Sequence, residues 1–260
     1  MKIYLAGQCP YPASKLHAVE VHPRFLHSYL YMKKFTLPDL RRNWRQQDIM
    51  VDSGGFSVRT GSAQISVTEY GGWLKRIENI FTVCINLDTR DMDESLRNQI
   101  VLERLGLHPL PVYHYSDYMD RRHRDTLQRF IDRYPYISVG GMAKKNLTKD
   151  DYKKFLDYVF VRTGKTTKVH GLGLTSTYWM GWYPFYSVDS STWLVPGMFG
   201  DFVTMVNGQY KRVNKKRGKS PTHHGLYLSG SEKISRAADA FAALERNLTE
   251  KWTRKGYQWT

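Results

Sequence analysis

Short β-rich runs and longer stretches of helical spacing take turns along this chain. Lys2 to Gly7 reads as a first strand that ends at a glycine. From His22 to Lys34 the apolar residues recur at helical spacing, with Pro23 near the start, and predict a helix. Asp48-Ile-Met-Val-Asp52 is the second predicted strand, because a continuous apolar run bounded by turn residues suits a strand covered on both faces. Thr68 to Ile77 has helical periodicity, weakened by Gly71 and Gly72. Phe81 to Asp88 is a third β-rich run, and Asp93 to Leu105 a helix with acids in its first turn.

The alternation continues with a fourth strand at Pro109 to Tyr115 and a strongly basic amphipathic helix at Tyr118 to Tyr134. Tyr136 to Met142 is the fifth strand, carrying paired glycines. Thr148-Lys-Asp-Asp151 is a helix start, and that helix runs through Tyr152 and Val161 to Gly164. Lys168 to Leu174 is the sixth strand. A short aromatic helix or turn at Thr175 to Tyr183 leads into the seventh, Phe185 to Ser191. Phe202 to Val206 reads as the eighth, and Ser231 to Lys251 as a long final helix with Ala237, Ala238, Phe241 and Leu244 on one face. Strand and helix alternating about eight times with short links predict an α/β chain closed into a (β/α)8 TIM barrel, as a single domain. An open doubly wound sheet is the alternative. No internal repeat, low-complexity tract or linker divides the chain.

Composition agrees with that size and class. The 260 residues are 41% hydrophobic and include seven Trp, enough for a sizeable core, and a barrel of about 250 residues is ordinary. With only Cys9 and Cys84 there is neither a disulfide framework nor a four-cysteine zinc site, so a reducing compartment is the simplest inference. The N-terminal apolar run is too short for a signal peptide, and no stretch of about 18 apolar residues marks a membrane span. A cytoplasmic protein without membrane partners is expected. Thirty-nine Lys and Arg against 24 Asp and Glu give a net charge of +15, a field that favours polyanions. Charge alone does not separate DNA from RNA.

Six predicted strands have polar or glycine endings on the carboxyl side: Asp52, Asp88, His114, the Gly140-Gly141 pair, His170 beside Gly171, and Asp189. In a barrel those ends converge on one mouth. Two opposed carboxylates can serve as nucleophile and general acid/base at a sugar carbon, and a third can read the donor groups of a base. Glycines let a flat ligand lie against backbone amides.

The same residues carry a resemblance. Asp52-Ser-Gly-Gly-Phe56, Ser138-Val-Gly-Gly-Met142, His170-Gly-Leu-Gly173 and Val188-Asp189 are similar, in order and spacing over about residues 48–191, to the successive motifs of the tRNA-guanine transglycosylase superfamily. The resemblance implies a TIM barrel that exchanges a guanine in a nucleic acid for a 7-deazaguanine. It implies Asp189 as the nucleophile at C1′ and Asp52 as the general acid/base. Asp88 would recognise the base edge, Gly141 and Met142 its carbonyl, and Phe56 would stack on it. Ser53, Gly140 and His170 complete the implied base pocket, with His114 standing where the family pattern has a Gln.

One departure bears on the polymer. After Asp189 comes Ser-Ser-Thr-Trp193 and no further cysteine, so the zinc subdomain with which tRNA enzymes dock is absent. The adjacent His223-His224 reads as a loop feature, and no metal or cofactor is expected. Short zinc-less relatives of this kind resemble the DNA-guanine transglycosylases of phages and genomic islands, which implies DNA as partner and, for a phage protein, the host cytoplasm as location. The alternatives are the same chemistry on tRNA and a non-catalytic nucleic-acid-binding barrel. A metal-dependent hydrolase would want His-x-His near strand one, where Ala6-Gly7-Gln8 stands. A homodimer is expected from the relatives. The basic loop Lys211–Lys219, with Lys211, Arg212, Lys215, Lys216 and Arg217, and the run Arg121-Arg122-His123-Arg124 are candidates for phosphate contact. Trp179, Trp182 and Tyr183 are candidates for stacking on a base, with core packing as the alternative.

Overall fold

In a computed structural model the structure describes residues 1–45, 47–142, 147–174, 176–199, 202–206, 209–213, 222–223 and 226–259. At 198–199 and in the strands between 202 and 227 the description is of the backbone only. The first third of the chain runs β1 (Lys2–Ala6), α1 (Pro12–Val21), β2 (Arg24–Ser28), α2 (Tyr29–Met32), α3 (Leu37–Asn43), β3 (Asp48–Asp52), α4 (Gly55–Arg59) and α5 (Val67–Arg76). The middle runs β4 (Val83–Cys84), α6 (Met92–Arg104), β5 (Val112–His114), α7 (Tyr115–Met119), α8 (Thr126–Arg133), β6 (Tyr136–Gly140), α9 (Lys149–Thr163) and β7 (Lys168–Gly171). The rest comprises α10 (Thr177–Trp182), β8 (Ser187–Ser190), α11 (Val195–Phe199), β9 (Phe202–Val206), β10 (Gln209–Val213), β11 (Thr222–His223), β12 (Leu226–Tyr227) and α12 (Gly230–Arg254). The fold is α/β, built from parallel strands linked by helices. No helix of the described residues is long and apolar enough to cross a membrane.

The chain divides into two compact units, Phe25–Leu174 and a second made of Met1–Arg24 with Thr175–Thr260. In the central unit β2, β3 and β4 are neighbours, as are β5, β6 and β7. A parallel bridge between Ile85 and Leu110 joins the two sets, with Leu110 N donating to Cys84 O at 2.8 Å and Asn86 N to Leu110 O at 3.0 Å. The strands of this unit therefore lie side by side in sequence order. Ile49, Met50 and Val51 are fully buried, as are Ile137 and Val139, the burial expected of strands covered on both faces. Helices supply the cover. On α5 the glycine that weakens the helical pattern has a packing purpose: a Cβ at Gly71 would lie 2.5 Å from Leu105 Cδ1 and 3.0 Å from Leu102 Cδ2, so the glycine lets α5 approach α6. Helix α9 starts on a capping box in which Thr148 and Asp151 bond each other's backbone amides.

In the other unit β1 and β8 pair in parallel, with Tyr4 opposite Asp189. Helix α12 buries Ile234, Ala237, Ala238, Phe241 and Leu244, and α1 packs on it through Ser14, whose Oγ lies 2.9 Å from Ser231 O and 2.7 Å from Ser231 Oγ. Glu245 on α12 accepts from Ile3 N at 2.7 Å and pairs with Arg24, fixing the helix to the start of β1. Strands β9 and β10 form an antiparallel pair, and so do β11 and β12.

Several elements differ from the pattern reading or were missing from it. The predicted helix over 22–34 is strand β2 followed by the single turn α2; its apolar spacing fits both structures, and Phe25 and Leu26 are drawn into the sheet. Helix α1 carries no broad apolar stripe: Leu16 is exposed and the buried face is made of Ser14 and Ala18. The basic stretch over 118–134 is two helices broken by a turn at Asp120, where the Asp carboxylate takes the Arg122 amide and guanidinium. Phe202–Val206 bonds antiparallel to Gln209–Val213, so it is a hairpin strand and the place of an eighth parallel strand is taken by β2.

Candidate active site

The loop after β3 is built from two glycines. Asp52 ends the strand, and its Oδ2 accepts from Gly54 N at 2.9 Å. Gly54 has a φ of +90°, which a side chain would resist. Ser53 Oγ donates to Asn86 O at 3.0 Å and accepts from Gly55 N at 3.2 Å, tying this turn to the segment after β4. A Cβ on Gly55 would lie 2.3 Å from Asp88 Oδ1 and 3.0 Å from Asp88 O. Only a glycine lets the Asp88 carboxylate stand at that place.

Asp88 is buried, and its Oδ2 lies 2.7 Å from Nε2 of the equally buried His114 at the end of β5. With the carboxyl oxygen as acceptor, Nε2 is the donor in this contact. Arg59, the last residue of α4, brings Nη1 to 3.7 Å from the same oxygen and donates to Thr89 O at 3.1 Å. The backbone around Asp88 is held by α6, through Asn98 Nδ2 to Leu87 O at 2.9 Å and Thr89 N to Ser95 Oγ at 2.9 Å.

His114 is fixed from two further sides. Its amide donates to Asp117 Oδ2 at 2.7 Å. Burial pushes the Asp117 carboxyl above its ordinary range, against the hydrogen bond from His114 N and the nearby His114 and Arg59. The other ring edge rests on the glycine pair that ends β6: a Cβ at Gly140 would lie 2.9 Å from His114 Nδ1, and one at Gly141, whose φ is +78°, 3.2 Å from it. His114 and Gly140 are opposite each other in the parallel register. Among the described residues, Nδ1 of His114 and Oγ of Ser138 are buried without a hydrogen-bond partner.

The central unit thus brings Ser53, Asp88, His114, Gly140 and Gly141 into one connected cluster, with Asp52 on the adjoining turn. Met142 and His170 are buried, His170 opposite Ser138 on β7. Phe56 is 76% exposed at the start of α4, free of the core. Asp189 lies in the other unit, buried in β8 one residue before the strand ends. Arg121 is exposed in the turn after α7, and Arg122 there is paired with Asp120 at 2.8 Å, which reduces what it can offer a phosphate. Lys211 and Arg212 stand in strand β10 rather than in a loop, and Lys215, Lys216 and Arg217 lie outside the described residues, as does His224. Of the three candidate stacking residues, Trp179 and Tyr183 are buried and Trp182 is exposed.

Two contributors escaped the sequence reading. Arg59 is four residues past Gly55, so one helical turn returns it to the same side. Asp117 is three past His114, the spacing of a helix-capping carboxylate. Among the described residues, no group of three or more His, Cys, Asp or Glu side chains is placed to hold a metal ion. Comparison with protein-family models and with curated proteins gives no match.

Proposed function

We propose that this chain is a guanine transglycosylase that exchanges a guanine in DNA for a 7-deazaguanine base, on a TIM-barrel-like frame. The observation that carries the reading is the Asp88 cluster. Residues from three separate motifs, Gly55, Asp88 with His114, and Gly140-Gly141, interlock around one buried carboxylate at the strand ends of the central unit. Such a carboxylate, held by a histidine and an arginine and floored by glycines, suits the amino and ring N–H donors of a flat purine.

The chemistry assigned to the other two carboxylates balances. Asp189 attacks C1′ of the nucleotide; an Oδ–C1′ bond forms as the C1′–N9 bond breaks, and the departing guanine takes a proton from Asp52. The incoming base returns its N9 proton to the Asp52 carboxylate and displaces Asp189 from C1′. One glycosidic bond replaces another, so no external energy source is required. The target base must leave its stack to react, and exposed Phe56 is the aromatic assigned to meet it.

The test is incorporation of radiolabelled guanine, scored in parallel on duplex DNA, single-stranded DNA and bulk tRNA, with Asp189→Ala as control. Label in DNA that disappears in the variant supports the reading. Label in tRNA alone keeps the chemistry and replaces the polymer. No label in any strand sinks the enzyme reading.

A further inference from the structure

In the unit made from both ends of the chain, exposed aromatic rings and positive charge meet beside the starts of its parallel strands. Tyr178 and Trp182, one turn apart on α10, hold their rings 5.8 Å from each other and are 51% and 62% exposed, while Trp179 and Tyr183 turn inward. The end of α12 is bound to the same short helix. Lys251 Nζ donates to Gly181 O at 2.7 Å and Trp252 Nε1 to Met180 O at 3.1 Å. Lys251, Arg254 and Lys255, with Asn247 and Glu250, line a concavity of about 540 Å³. Aromatic contacts continue beyond it, from Trp252 to Tyr257 at 5.5 Å, to Trp259 at 5.4 Å and on to Tyr186 at 5.7 Å. Lys255 Nζ stands 4.9 Å above the Trp252 ring and Lys2 Nζ 5.7 Å above Tyr186.

We propose that this face binds single-stranded nucleic acid, with unpaired bases stacking on Trp182 and Tyr178 and phosphates on Arg254, Lys255 and Lys251. Around the concavity three cations stand with one acid, Glu250, which pairs with Arg254 at 3.3 Å, and the whole chain carries +15, so the excess positive charge favours an anionic partner over an apolar one. Aromatic faces stack on bases irrespective of sequence, but only on bases that are not already stacked within a duplex. Tyr186 directly precedes β8 and Lys2 begins β1, whereas Asp189 lies toward the far end of β8. The face is therefore a separate grip for the strand, and it does not depend on the base-exchange reading.

Fluorescence anisotropy of a labelled oligothymidylate with the full chain tests it. Trp182→Ala is expected to weaken binding about fivefold or more, from the loss of one stacking platform. Arg254→Gln with Lys255→Gln is expected to lower the slope of log K against log salt by about 0.7 for each phosphate contact removed. These side chains are exposed, and an unchanged circular dichroism spectrum verifies that each variant is folded. Wild-type affinity and salt slope in both variants, or an equal loss of affinity for a duplex of the same length in Trp182→Ala, would overturn the proposal. So would a Trp182→Ala variant that binds the oligonucleotide normally but sediments as a smaller species, which would assign the face to self-association.

Discussion

The Nε2 of His114 stands 2.7 Å from Oδ2 of Asp88, and both side chains are buried. Removing His114 leaves the buried Asp88 carboxyl without that hydrogen-bond partner. His114→Ala is expected to lower the free energy of unfolding in urea by about 2–3 kcal/mol, with Arg59 still 3.7 Å away. His114→Gln retains an N–H donor and is expected to lose about 1 kcal/mol. Equal losses in the two variants would show that the ring's packing, and not its hydrogen bond, is what matters.

Glycines at three positions are expected to respond differently to alanine. Gly55→Ala drives a Cβ into the Asp88 carboxylate and is expected to destabilise by about 1–3 kcal/mol as the pair with His114 is displaced. Gly71→Ala meets Leu105 at 2.5 Å and is expected to cost a similar amount. Gly72→Ala, with nothing within 4 Å, is expected to stabilise α5 by up to about 1 kcal/mol. Thermal melts of the three variants read this order directly.

Strand ends are easier to read from the residues than the order of the strands, and the reason is physical. Strand ends are marked by chemistry: the apolar run Ile49–Val51 must stop where Asp52 begins, and Tyr113 where His114 and a helix cap begin. These boundaries survive errors elsewhere. The order of strands is not marked in this way. Phe202–Val206 has the β-rich composition of a barrel strand, and nothing in its residues distinguishes parallel from antiparallel pairing. Arg24–Ser28 was hidden because Phe25 and Leu26, followed by Tyr29 and Leu30, satisfy helical spacing as well. Helix α1 was hidden because its contact with α12 is made by Ser14 and Ala18, small residues that leave no hydrophobic stripe. The Asp88–His114 bond lies between residues 26 apart, a contact that no local pattern announces.

Asp117 makes stability depend on pH. Its folded carboxyl holds its proton to higher pH than the unfolded one, because burial disfavours the charge. Between the ordinary carboxylate range and the raised folded value the native state binds more protons, so stability falls as pH rises through that window. Asp117→Asn keeps an oxygen acceptor for His114 N and is expected to flatten this part of the stability profile. A profile that keeps its slope in the variant would assign the dependence to another group.

The two thiols are expected to differ in reactivity. Burial pushes the Cys84 thiol up to about 12, so at neutral pH it is protonated and shielded inside β4. Cys9 is partly exposed, although burial raises its thiol as well. Titration with a disulfide reagent under native conditions is expected to modify Cys9 slowly and to leave Cys84 intact until denaturant is added. Native labelling of Cys84, located by peptide mass, would contradict the buried placement.

The covalent intermediate is the central claim, and intact mass spectrometry reads it directly. The protein is incubated with a guanine-containing DNA strand, quenched under denaturing conditions and weighed. The expected species is protein plus a strand that has lost one guanine base, absent from Asp189→Ala. An adduct that persists in Asp189→Ala, or no adduct with any guanine-bearing strand, would contradict the account.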